Sequence, residues 1–299
     1  MSTNTKNQID GWLIIDKPYG MGSTDVVGKL KWSLSPTKIG HAGTLDPLAT
    51  GVLPIALGKA TKLIPYVMDG TKIYEFQVTW GAETETDDLE GKKTATSDKR
   101  PTEDKVRAVL NQFIGVIEQV PPAYSALKVG GRRAYDLARA GQEVSLKARA
   151  VRIDSLELMS FCKDCADFRV VCGKGTYVRS LGRDIGRALG CLGYISVLRR
   201  VACGPFQAGD AVDFTLFQEK QSNVPVLPMD FALEYMPALV CSENMWQRLK
   251  CGQRLSLKDM PENIRQLSEE TTLRIMWNDQ LMGLAQIKRG GIHPYRIFA

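Results

Sequence analysis

Between Gly40 and Gly51 the chain reads Gly-His-Ala-Gly-Thr-Leu-Asp-Pro-Leu-Ala-Thr-Gly, and no other stretch restricts the fold as much. Gly40, Gly43 and Gly51 open backbone conformations closed to other residues, and Pro47 fixes φ directly after Asp46. That density of glycine and proline stops a helix or a strand, so the segment reads as a shaped turn presenting one carboxylate. In the plain alternative, an Asx-type turn, Asp46 caps only its own backbone. His41, one of 2 histidines in the chain, stands close by in sequence.

The periodic segments around this turn indicate an α+β chain. Gly11 to Asp16 reads as a short apolar strand, and Ser23 or Thr24 can cap a helix running to about Ser33. From Lys72 to Trp80, Tyr74, Phe76, Val78 and Trp80 alternate with Glu75, Gln77 and Thr79, the period of a half-buried strand. Glu83 to Arg100 reads as an exposed loop, and Thr102 can cap a helix from Glu103 to about Phe113. Strands are expected at Arg149 to Phe161 and Asp167 to Gly173. A helix over Thr176 to Leu189 places Val178, Leu181 and Ile185 on one face, with Arg179, Arg183 and Arg187 recurring on another.

A proline-containing stretch from Val224 to Pro237 marks a boundary. Beyond it come a helix near Ser242 to Lys250 and strands near Thr272 to Trp277, Leu281 to Ile287 and Ile292 to Phe298. Asn278-Asp279-Gln280 is the hairpin turn between the first two strands. The expected organisation is a main unit over residues 1–235 and a small β-rich unit over 236–299.

With 299 residues, 44% hydrophobic and 24% charged, the chain has the composition of a soluble globular protein. No apolar run is long enough to span a bilayer, and the polar start from Met1 to Asp10 lacks the features of a secretory signal. The 7 cysteines, an odd number, suit reduced thiols in a cytoplasm. Cys162 and Cys165 have the spacing of half a zinc site, with Cys172 nearby. No second pair exists and only His41 and His293 could add nitrogen ligands, so no metal is expected.

A net charge of +6 suits a polyanionic partner. Basic residues cluster at Lys29 and Lys31, at Lys128 with Arg132 and Arg133, at Arg199 with Arg200, and at Lys288 with Arg289; each pair alone reads as a solvated face, and together they make nucleic acid a leading candidate. Several catalytic devices are missing from the sequence. Gly58-Lys59 lacks the earlier glycine of a phosphate-binding loop, no dinucleotide-binding glycine pattern follows the first strand, and no G-x-S-x-G elbow occurs. What is left is a carboxylate on a rigid loop, one nearby histidine, and arginines and tyrosines that could converge on it.

Six blocks, in order, resemble the motifs of the TruB-type tRNA pseudouridine synthases. They are Gly11 to Pro18, His41 to Pro54, Lys72-Ile73-Tyr74-Glu75, Pro122 to Lys128, Cys172 to Arg179, and Leu198-Arg199-Arg200. The match loosens in the C-terminal unit. The resemblance implies the pseudouridine synthase fold: a mixed, mostly antiparallel central sheet flanked by helices and loops, with a PUA-like C-terminal domain that binds RNA. An RNA-clamping insertion is implied at about residues 122–147. The implied reaction is isomerisation of uridine at position 55 in the T loop, without cofactor or metal. The implied enzyme is a cytoplasmic monomer acting on the T arm and elbow of tRNA.

By the same resemblance Asp46 is the nucleophile, Arg179 its ion-pair partner, and Tyr74 the residue that stacks on the flipped uracil and enters proton transfer. Tyr177, Leu198 and Lys17 match substrate-binding positions, His41 matches a residue occupying space vacated by flipped bases, and Arg132 and Arg133 belong to the clamp. Read without the resemblance, Arg179 is one of an exposed arginine row and Tyr74 and Leu198 are core residues. His41 is then a structural histidine that hydrogen-bonds the loop, and the segment Pro122 to Gly141 is a surface loop with a short helix. Two positions depart from the family, Ala42 where Thr or Gly is usual and Glu85 where Asp is usual. Rival readings are a tRNA-binding or tRNA-folding protein without catalysis, and a synthase for another RNA.

Overall fold

The computed structural model describes residues 6–142, 144–217 and 225–298. Met1 to Thr5, and Val224 at the head of the expected boundary stretch, lie outside the described residues. The first part of the chain forms β1 (Gly11–Lys17), α1 (Ser23–Leu34), β2 (Ile39–His41), β3 (Thr50–Leu57), α2 (Ile64–Asp69), β4 (Lys72–Trp80), β5 (Ala82–Thr84) and β6 (Lys93–Thr96). The middle forms α3 (Glu103–Leu110), β7 (Gly115–Gln119), β8 (Lys128–Val129), β9 (Arg132–Arg133), α4 (Ala134–Arg139), β10 (Arg149–Phe161), β11 (Cys165–Cys172) and α5 (Val178–Ala188). Then follow β12 (Gly193–Cys203), β13 (Phe206–Gln207), β14 (Val212–Asp213), β15 (Ala238–Val240), α6 (Glu243–Lys250), β16 (Leu255–Ser256), α7 (Glu262–Arg265), β17 (Thr272–Trp277), β18 (Gln280–Lys288) and β19 (Gly291–Ile297).

Among the described residues, ten strands make the main sheet, in the order β14-β1-β3-β12-β4-β11-β10-β7, with β2 on β3 and β13 on β12. Only the β1–β14 and β3–β12 pairs are parallel, so the sheet is mixed and mostly antiparallel, as expected. Its centre is β4, whose alternation drives Phe76, Val78 and Trp80 into the core. Phe76 stacks on Phe168 of β11 with centroids 5.3 Å apart. Each such fully buried aromatic contributes about 1.5–3 kcal/mol of hydrophobic stabilisation.

Helix α5 lies close against β12 because it carries small residues where it meets the strand. A Cβ on Gly186 would stand 2.4 Å from the Gly193 nitrogen. That close approach fixes the depth at which the helix holds its arginines. The exposed row of the alternative reading is in fact inward: Arg179 and Arg183 are buried, and of the three only Arg187 is open to water. The reason lies in residues 83–88, which are part of a β5–β6 hairpin and its turn rather than a free loop. That segment supplies Asp88 to Arg179 at 3.5 Å, Asp87 to Arg183 at 2.8 Å and Glu83 to Arg187 at 2.6 Å.

Three further expectations are corrected. Helix α1 is capped by Gly22, because Ser23 is buried and its hydroxyl is engaged elsewhere. Gly51 lies inside β3 rather than in the turn, where the backbone of Arg200 passes so close that a Cβ would meet its oxygen at 2.2 Å. Cys162 and Cys165 form a disulfide instead of free thiols. They flank the β10–β11 turn, which brings their Cα atoms to 5.1 Å.

A second sheet, in the order β15-β17-β18-β19-β16, occupies residues 238–297. Its β17–β18 hairpin turns through Asn278 and Asp279, both at positive φ. Leu281, Leu284 and Phe298 pack with Trp12, Phe206 and Leu233, so an apolar core joins this sheet to the outer side of β1 and β3. No helix among the described residues is long and apolar enough to cross a membrane.

Candidate active site

Asp46 sits on the connection between β2 and β3, which is held by a buried side chain, by neighbouring backbone and by a bond of its own. The buried Ser23 hydroxyl donates to the Leu45 carbonyl and accepts from the Leu45 amide, both at 2.8 Å. The Gly20 amide donates to the Pro47 carbonyl at 2.9 Å, and the Ala49 amide donates to the Asp46 carbonyl at 3.1 Å. Gly43 takes φ +113°, a conformation that side chains resist. Asp46 therefore projects from a rigid turn, and no hydrogen bond ties its carboxylate back to its own backbone, against the Asx-turn alternative.

The carboxylate faces Arg179 instead, with Oδ2 2.9 Å from Nε. The arginine side chain is 5% exposed and the aspartate 39%, so the pair joins a buried anchor to an accessible acid. Arg179 donates through its terminal nitrogens to the carbonyls of Thr86 at 2.8 Å and Tyr124 at 2.9 Å. Those two bonds hold the guanidinium beside Asp46, where Nε makes the ion pair by proximity and no hydrogen bond.

Two cavities meet at this pair. The inner pocket, of about 370 Å³, is lined by Asp46, Tyr74, Tyr177, Arg179, Leu198 and Arg200, among others. Tyr74, Arg200 and Leu198 arrive together because Tyr74 is the cross-strand partner of Arg200, and Phe76 of Leu198. Burial pushes the Tyr74 hydroxyl up to about 12, with the Arg200 charge opposing, so the phenol is neutral at physiological pH. Burial also raises the pKa of Tyr177, the residue capping α5.

The outer cleft, of about 710 Å³, shares Asp46 and Arg179 and adds His41, Tyr124, Arg133, Tyr135 and Arg139. Burial and the nearby Arg200 lower the His41 pKa, and its Nδ1 is buried without a hydrogen-bond partner. His41 therefore does not tie down the loop through Nδ1. Arg133 and Arg139 lie over the Tyr135 ring at 6.0 and 5.6 Å from its centroid.

The expected site residues thus divide. Asp46, Tyr74, Tyr177, Arg179 and Leu198 converge on the inner pocket, and His41 and Arg133 on the cleft. Arg132 is exposed and lines neither, because neighbouring strand residues point to opposite sides. Lys17 also lines neither cavity. It is fully buried behind the Asp46 turn, and its ammonium donates to the carbonyls of Pro18, Met21 and Pro47. Burial lowers its pKa to about 8, with Asp46 opposing the shift.

Sequence reasoning missed Arg139, Tyr135, Asp88 and Lys72 as site residues. Only the basic, aromatic character of the segment after Pro122 hinted at the first two. Among the described residues no group of three His, Cys, Asp or Glu side chains could hold a metal ion.

Residues 31–178 match the TruB family pseudouridylate synthase N-terminal domain, and residues 179–234 match the tRNA pseudouridylate synthase B C-terminal domain. The chain belongs to the TruB family. It is 47% identical to a tRNA pseudouridine synthase B of Brucella ovis, over 97% of this chain and 96% of that protein. It is 46% identical to one of Paracoccus denitrificans, over 100% of this chain and 99% of that protein. A solved Cbf5-Nop10-Gar1 complex contains a chain with the same fold, at a TM-score of 0.72 and 26% identity, over 96% of this chain and 84% of that one. A chain in an H/ACA RNP bound to a substrate RNA containing 2'-deoxyuridine also has a TM-score of 0.72, at 23% identity, over 97% of this chain and 85% of that one.

Proposed function

We propose that the protein isomerises uridine to pseudouridine in tRNA, at position 55 of the T loop, with Asp46 as nucleophile. The observation that carries this reading is the Asp46–Arg179 pair on the wall shared by a base-sized pocket and a wider basic cleft. The family relationship supplies the substrate class, and the site supports the chemistry.

A uridine inside a folded loop must swing out of its stack to meet a carboxylate. The inner pocket receives the base, Tyr74 offers a ring for stacking, and Leu198 and Tyr177 complete the walls. The outer cleft holds the arm from which the base has come. Arg133 and Arg139 lie there near phosphate, and His41 fills part of the space left in the loop. In this assignment residues 122–147 clamp the RNA, residues 1–235 carry the chemistry, and residues 236–299 extend the RNA surface.

Arg179 keeps Asp46 ionised when RNA excludes water, because its charge offsets the desolvation of the carboxylate. Asp46 attacks C1′ as the C1′–N1 bond breaks, the freed uracil turns, and C5 bonds to C1′ as the Asp46–C1′ bond breaks and frees the carboxylate. The C5 proton leaves and N1 gains one. Product and substrate are isomers, so no oxidant, reductant or added group enters the balance.

The test is pseudouridine mapping on unmodified tRNA transcript. Conversion of the T-loop uridine alone is expected, with none in Asp46→Asn and with tRNA affinity kept within a few-fold. Tight binding without conversion of any uridine would favour an RNA-folding role instead.

A further inference from the structure

The floor of the inner pocket carries two buried basic side chains that, among the described residues, are not ion-paired with a carboxylate. Lys72 and Tyr74 project from one side of β4, and Arg200 stands opposite Tyr74 on β12. Lys72 is 7% exposed and Arg200 1%. Arg200 donates from Nε to the Val52 carbonyl at 2.8 Å and from one terminal nitrogen to the Gly43 carbonyl at 3.1 Å. Its other terminal nitrogen is not used by the backbone, and the guanidinium meets the Tyr74 hydroxyl. Lys72 donates to the carbonyls of Val67, Met68 and Gly70 at the end of α2. Asp69, a carboxylate acting on Lys72, is itself ion-paired with Lys174 at 2.6 Å.

A buried cation without a counter-charge is costly, and two side by side repel. Carbonyl dipoles offset part of that cost but bring no negative charge. Such a pair in the wall of a pocket suits a ligand that becomes an anion there. Arg179 is already engaged, by Asp88 at 3.5 Å and through both terminal nitrogens by the carbonyls of Thr86 and Tyr124.

We infer that Arg200 and Lys72 form a cationic floor that stabilises the uracil ring as an anion when the C1′–N1 bond breaks, an inference resting on the function proposed above. The electron pair of that bond passes to N1 and spreads over O2 and O4, while Asp46 closes a bond to C1′. The charge returns to the Asp46 carboxylate when C5 attacks C1′ and the Asp46–C1′ bond breaks, and the C5 proton is then exchanged for one on N1. Nothing is oxidised and no further reactant is needed.

The experiment is single-turnover cleavage of the glycosidic bond in T-arm RNA carrying uridine or 5-fluorouridine at the target position. Cleavage is read as loss of the starting nucleoside in a nuclease digest. Fluorine makes the ring anion more stable, so the fluorinated base depends less on the floor. Arg200→Gln and Lys72→Met should each slow cleavage of uridine by about 10-fold or more, as expected for loss of one preorganised group. The fluorinated base should be slowed several-fold less. Arg200→Lys, which keeps the charge, should return the ratio between the two bases to that of the unaltered protein.

Equal slowing of both bases in both neutral variants would overturn the inference and leave the residues as supports of the Asp46 turn and α2. No slowing would overturn it as well. Failure of the unaltered protein to cleave either RNA would instead overturn the function proposed above, and with it this inference.

Discussion

The Nε of Arg179 stands 2.9 Å from the Asp46 carboxylate while the carbonyls of Thr86 and Tyr124 engage its two terminal nitrogens. The planar fork is thus anchored by two separate segments and held with its charge against the acid. Lysine keeps the charge but cannot bridge these points. Arg179→Lys should lower the single-turnover rate by about 100-fold, comparable to loss of one preorganised donor. Quench-flow measurement of pseudouridine formation checks it, and a rate within a few-fold of the parent would reduce the pair to a structural contact.

Ser23 acts on the site through the backbone alone. Ser23→Ala removes a hydroxyl that satisfies both the amide and the carbonyl of Leu45 in a buried position. The cost should be about 1–3 kcal/mol, since the two groups lose their partner. Denaturant unfolding measures it. The same variant should slow turnover more than it weakens RNA binding, because Leu45 directly precedes Asp46, the proposed nucleophile.

The cleft divides two adjacent arginines. Arg133→Ala combined with Arg139→Ala should flatten the log–log dependence of tRNA affinity on salt by up to ~2, if both groups meet phosphate. Arg132→Ala should change the slope less, because Arg132 lines neither cavity. Filter binding across a salt series separates the cases, and equal effects from Arg132 and Arg133 would remove the distinction.

Lys17 links stability to pH. Its folded pKa is about 8 against an ordinary 10.5, so between these values the unfolded chain binds a proton that the folded chain does not. Stability from this group is therefore fully present above 10.5 and is lost as pH falls towards 8. The stability of the unaltered protein minus that of Lys17→Met should rise across this window and stay flat below it. Chemical denaturation at a series of pH values gives the difference, and a falling curve would contradict a depressed pKa.

Local pattern carried much of the fold. Lys72–Trp80, Arg149–Phe161 and Thr272–Trp277 are strands with the boundaries their composition and alternation indicate, because a strand's faces are set by successive side chains. The Asp46 turn was legible for a similar reason, since glycine and proline restrict the backbone wherever they stand. Asp46, Tyr74 and Arg179 could be named from motifs that keep their order along the chain.

What those residues meet was decided by pairing over long separations. A spacing of four puts Arg179, Arg183 and Arg187 on one face of α5, but it cannot say whether that face meets water. The β5–β6 hairpin folds back and places Asp88, Asp87 and Glu83 against them. Likewise Lys17 sits in an ordinary motif, yet it is buried because β1 runs beneath the Asp46 turn. Arg200 reads as half of a basic pair, yet it forms the pocket floor because β12 pairs with β4 and sets Arg200 opposite Tyr74. Sequence determines what each segment can form and which side chains share a face. Burial, and with it the charge a side chain can hold, depends on which distant segment covers that face.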